Sequence, residues 1–154
     1  MKKLLTMAVS LILMAVLAVS ASASGQIGTE EINFDVDRCV DIAKDFIEEF
    51  YTAAYMDEEF ELNLTVIDSD LSTIIQAKFD DTHSPRILTP CKAFSLNFKE
   101  ISASQSEDLI YIELPIAFYF VLEGESESCG SHRPEYFTFR KIGNEYVLEN
   151  WITS

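Results

Sequence analysis

The residues able to move a proton are few in this chain, and most of them are tyrosines. Proton transfer needs an acid or base whose pKa is tuned by burial, and a donor facing it. The eligible side chains are Tyr51, Tyr55, Glu113, Tyr119, Tyr136 and Asn150. Glu113 is the only acid inside the long apolar run Leu109 to Leu122, and its alternation places it on the solvent face of a strand. Tyrosines at such positions more often fill the core or its rim, with the hydroxyl reaching water. His83 lies in a Pro-flanked stretch and His132 in a Gly/Ser-rich one, and both read as surface-loop histidines. Ser126, Ser128 and Ser131 surround Cys129 without a neighbouring base, so a serine or cysteine nucleophile has no support. Asp57-Glu58-Glu59, Asp68/Asp70 and Asp80-Asp81 carry the charge of a calcium site but not its alternating ligands and glycine. No CxxC pair accompanies the two histidines, so no zinc site is expected. No catalytic residue, metal ligand or cofactor is assigned.

The chain that must position these groups opens on an address. Met1-Lys-Lys, an uncharged run from Leu4 to Val19 and the small-residue site Ala21-Ser-Ala23 together predict a secretory signal peptide over 1–23. A loose arm over 24–33 and a single domain over 34–154 should follow, exported to the cell envelope or beyond and held by no membrane after cleavage. The charge is −15, and losing Lys2 and Lys3 makes it −17. Such a surface repels nucleic acid and anionic lipid, since binding either depends on neutralising phosphate.

From Asp35, read as an N-cap, apolar residues recur at helical spacing from Val36 to Ala54, with Asp41, Lys44, Asp45, Glu48 and Glu49 opposite. Phe60 to Val66 is open between a short strand and spaced turns. A second helix is capped by Ser69 or Asp70, with Leu71, Ile74, Ile75 and Phe79 inward, and Asp80 to Thr89 reads as loop. The rest is a four-strand meander. Ala93 to Lys99 alternates, Ser102 to Asp108 is a polar link, and Leu109 to Leu122 is the long strand. Gly124 to Arg133 is a break, Tyr136 to Ile142 alternates, Gly143-Asn144 turns, and Glu145 to Ile152 closes. Pro115 cannot donate to a ladder, so Leu114-Pro115 reads as a bulge that bends the sheet. A helix on the concave side of such a sheet makes a cone.

Three cysteines in an exported chain allow at most one internal bridge. Hairpin symmetry places residue 91 across from about residue 120. A loop folding back from that end would bring Cys129 to Cys91. Cys91–Cys129 is therefore the expected disulfide, with Cys39 free on the dry helix stripe and Cys39–Cys91 as the competing pair.

The helix with Phe46-x-x-x-Phe50-Tyr51, the Leu71 to Phe79 segment and the final hairpin of Phe137-Thr-Phe139, Gly143-Asn144 and Tyr146 to Trp151 resemble the nuclear transport factor 2-like (cystatin-like) α+β superfamily. Within it they look like secreted bacterial domains. The likeness covers residues 34–153. It implies N-terminal helices on a bent four-stranded antiparallel sheet, cone-like, with Tyr51, Tyr55, Tyr119 and Tyr136 lining the cone. The superfamily holds ketosteroid-isomerase-like enzymes and binding modules without chemistry. The first expectation is a secreted, non-catalytic module for a small ligand or extracellular protein; the alternative is a small lyase or isomerase. A homodimer through the sheet face is a further expectation.

Overall fold

The computed structural model describes residues 34–154; the expected signal peptide over 1–23 and arm over 24–33 lie outside them. The described chain is α+β, with helices α1 (Phe34–Met56) and α2 (Ser69–Leu88) and strands β1 (Cys91–Phe98), β2 (Ser102–Ser106), β3 (Leu109–Leu122), β4 (Cys129–Ile142) and β5 (Glu145–Thr153). All strands pair antiparallel, in the order β1-β3-β4-β5, with β2 also on β3.

The predicted stripe makes α1 a core helix: Cys39, Ala43, Phe46, Ile47, Phe50, Tyr51 and Ala54 are all buried. Asp35 is not its N-cap but lies with Asp37 in the first turn, where its carboxylate accepts from Lys141 Nζ at 2.5 Å. The helix ends in a Schellman-type turn. Asp57 takes the left-handed conformation, φ 58°, and Glu58 N–H reaches back to the Ala53 carbonyl at 3.0 Å.

Past it, residues 60–66 form no strand or helix and bend at Leu64, with their apolar members half-buried. Val66 bridges Leu148 of β5 in parallel, with Leu148 N–H to Thr65 O at 2.8 Å and Ile67 N–H to Leu148 O at 2.9 Å. The open choice between strand and turns thus resolves as one bridge on the edge of β5.

The second helix is capped by Asp68, one residue before Ser69 and two before Asp70, its side chain accepting from Leu71 N–H at 2.9 Å. Ile74 is half-exposed instead of inward. The helix also runs straight through the expected loop, carrying Pro85 inside it. Tertiary contacts hold that second half. His83 pairs with Asp57 at 2.7 Å and lies on Phe79, and the Arg86 guanidinium covers Tyr55 and Phe120 at 4.9 and 4.6 Å from their ring centres. His83 is thus a half-buried helix residue, and His132 lies in β4 against Tyr119, 6.0 Å between ring centres.

The sheet has five strands instead of four because its outer strand is split. β1 and β2 pair with the two ends of β3, and residues 99–101 between them face only Leu114 and Pro115. The extra residue of a bulge therefore sits opposite Pro115, not at Leu114-Pro115, where β3 runs on in unbroken register with β4. Pro115 stands directly across from Pro134. Two prolines can face each other only at a non-hydrogen-bonded position, where neither ring removes a ladder bond. A second irregularity, at Thr138/Phe139 against β5, skips Glu149 and turns both Leu148 and Trp151 inward.

β2 and the first residues of β4 carry almost no apolar side chains, yet both are strands. Their backbone bonds to β3 decide the matter, not their own patterning. The core lies between α1, α2 and the inner sheet face. Phe46 and Phe50 each approach Trp151 edge-on at 5.0 Å, and Phe60 stacks on Phe79 at 4.9 Å. Each such pair is worth about 0.5–1.5 kcal/mol beyond its area burial.

The expected disulfide is absent: Cys39, Cys91 and Cys129 are all free. Residue 91 does lie near the predicted partner, across from Leu122, but Cys129 pairs with Phe120 on the opposite side of β3. With a strand between them, the two Cα atoms stand about 10 Å apart, beyond the roughly 4.4–6.8 Å a bridge spans. Instead of folding back, Cys129 opens β4.

Candidate functional site

Strand parity decides which candidates meet. Even-numbered residues of β3 and odd-numbered residues of β4 face α1, so Tyr119, Tyr136 and Glu113 point outward. Tyr51 and Tyr55 are buried at 0% and 7% exposure, whereas Tyr119 and Tyr136 are each 39% exposed on the other face. The four tyrosines do not line one cavity. Asn150 is exposed, and Glu113 meets only the Ser102 hydroxyl at 3.5 Å.

The group that does meet Tyr51 is Glu135, the one buried charged residue among those described, at 0% exposure. Its Oε1 accepts from the Tyr51 hydroxyl at 2.7 Å and from Arg133 Nε at 3.1 Å, and its Oε2 accepts from Trp151 Nε1 at 2.9 Å. Arg133 also donates through Nη2 to the Tyr51 oxygen, and its guanidinium lies over the Tyr51 and Phe118 rings, 4.9 and 5.4 Å from their centres. Four elements meet at this network, three of them tied by the carboxylate itself. α1 brings Tyr51, β3 brings Phe118, β4 brings Arg133 and Glu135 two residues apart on its inner face, and β5 brings Trp151.

Burial raises the Glu135 pKa above the ordinary carboxylate value, opposed by the Tyr51 hydrogen bond, the Arg133 charge, the Trp151 bond and the Lys78 charge. Burial also raises that of Tyr51, with the Glu135 charge adding to it, so the phenol keeps its proton and donates.

Above this network lies a cavity of 140 Å³ between α2 and the sheet, walled by Phe50, Tyr51, Lys78, Thr82, Arg133 and Trp151. Lys78 Nζ sits 4.3 Å from the centre of the Trp151 ring and donates to the Trp151 carbonyl at 3.2 Å. Burial lowers its pKa, with Glu135 opposing. A larger groove of 330 Å³ lies on the opposite sheet face, along Ser102, Ser104, Tyr111, Glu113, Tyr136 and Thr138.

A general base needs a lone pair aimed at its substrate. Glu135 has both oxygens engaged and no path to solvent, so it orients Arg133 and Tyr51. Among the described residues no group of three or more His, Cys, Asp or Glu side chains is placed to hold a metal ion, and no helix is long and apolar enough to cross a membrane.

Sequence reasoning passed over Glu135, Arg133 and Lys78. The alternation that marks Phe137 and Phe139 as inward continues backward to Glu135 and Arg133, a signal hidden by reading Gly124 to Arg133 as a break. Compared with protein-family models, curated proteins and solved structures, the chain has no significant match to any of them.

Proposed function

We propose that this protein is a non-catalytic binding module, exported to the envelope or beyond, that takes a small ligand or extracellular partner. One observation carries this reading over a lyase or isomerase: the buried carboxyl that such chemistry would use is at 0% exposure and accepts from protein donors at both oxygens. The size of the cavity in front of it supports the same conclusion. At 140 Å³ it is well below the roughly 300–1,000 Å³ of a typical small-molecule pocket, too small for a steroid-sized substrate.

The nuclear transport factor 2-like reading belongs to this proposal. Its support is a long buried helix on an antiparallel sheet with bulges at residues 99–101 and at Glu149, which would bend the sheet toward a cone. The outer face, with Tyr111, Tyr136 and Ile152 exposed, is where we place a second copy.

Native mass spectrometry of the secreted protein, paired with turnover assays on activated ketones and hydroxy acids, tests the reading. We expect a chain beginning near Ser24 and no turnover. Catalysis that disappears in Glu135→Gln while the fold persists would overturn it.

A further inference from the structure

We propose that the cleft between α2 and the Arg133 end of β4 binds a small organic monocarboxylate, its head group held between Lys78 Nζ and Arg133 Nη1. This rests on the binding-module reading and names the ligand class.

Two donors at this cleft are left open. Arg133 spends Nε on Glu135 and Nη2 on Tyr51, which leaves Nη1 without a protein partner among the described residues. Lys78 gives one hydrogen to the Trp151 carbonyl and has no carboxylate within 4.0 Å among them. An unpaired lysine and a spare guanidinium nitrogen thus stand beside one cavity. Glu135 does not line the cavity, and Lys78 Nζ and Arg133 Nη1 are the cationic donors there, matching an acceptor.

Charge favours a monoanion over a dianion. Lys78 and Arg133 line the cavity together with Asp81, and Glu135 lies beneath, bonded to Arg133. A monoanion between the two cations adds one negative charge to this balanced set, whereas a dianion such as phosphate adds two.

Shape points the same way. Phe50 and Trp151 supply apolar wall beside the donors, which suits a short carbon stem and does nothing for an inorganic ion. The 140 Å³ volume holds a carboxylate with only a few carbons.

Titration calorimetry on the purified protein with butyrate, acetate and inorganic phosphate tests the site. Butyrate should bind saturably, acetate more weakly and phosphate least. Lys78→Gln should weaken butyrate about ten-fold or more, as expected for losing a charged hydrogen bond. Asp81→Asn, which removes the opposing carboxylate, should tighten it, and thermal melts must show both variants folded. No saturable carboxylate binding, an unchanged affinity in folded Lys78→Gln, or phosphate bound as tightly as butyrate would each overturn the proposal. The two readings fail separately. A carboxylate that binds and is converted overturns only the non-catalytic reading, and no binding with no turnover overturns only the ligand class.

Discussion

At the scale of single residues, Glu135 carries the largest consequences. Truncating it to alanine strands Arg133, Tyr51 and Trp151 donors at once and should cost about 3–5 kcal/mol, read from denaturant unfolding. Its charge state gives a finer test. The native pKa is raised above 4.5, chiefly by burial, so the native chain binds this proton more tightly than the unfolded chain does. The stability linked to it is complete below pH 4.5 and is lost as pH rises through the native value. Wild type should therefore lose stability relative to Glu135→Gln as pH climbs from about 4.5. The opposite slope in paired melting curves would mean the carboxyl ionises more easily folded than unfolded. The thiols give an independent check on the unbridged cysteines. Cys129 is exposed, whereas Cys39 is at 0% exposure with its pKa pushed up to about 12 by burial. A disulfide-exchange reagent should titrate one thiol rapidly in native protein and three in denaturant; only one in denaturant would restore a bridge.

Elements tell where the sequence was legible. The stripe of α1 marks its buried face because one wall of a 3.6-residue repeat must be dry, and the Gly143-Asn144 turn needs a positive φ that Gly143 supplies at 64°. The second half of α2 was not legible, because a proline normally ends a helix. What overrides it is distant in sequence: Asp57, Tyr55 and Phe120 hold His83 and Arg86 in place. The carbonyl that Pro85 leaves without a donor belongs to Asp81, an exposed residue, where water can take over. An interior proline costs up to about 3 kcal/mol, partly offset by the stiffness it lends the unfolded chain. Pro85→Ala should therefore stabilise the protein by about 1–2 kcal/mol in chemical denaturation. A loss of stability instead would show that the ring shapes the end of the helix. β2 escaped detection for a related reason. Ser102 to Ser106 has both faces exposed, and only its neighbour makes it a strand.

On the scale of the whole molecule, the candidate site was illegible because no local stretch contains it. Tyr51, Lys78, Arg133 and Trp151 come from four elements, and only the sheet register and the packing of both helices on the sheet bring them together. The facing prolines cross that sheet near its middle. The β3–β4 ladder runs unbroken past them, but its flanks change there: β2 ends and β1 begins across residues 99–101, and β5 pairs with β4 only from Glu135 onward. The flanking strands thus divide the sheet into two blocks, one with β2 and β5 beside the halves of β3 and β4 they pair with, the other with β1 alone beside the remaining halves. Cooperative opening need not pass across such a seam. Native-state hydrogen exchange should therefore find two protection classes, residues 109–113 with 136–142 in the slower and 116–122 with 129–133 in the faster. A single shared opening energy for all four segments would show that the sheet breathes as one body.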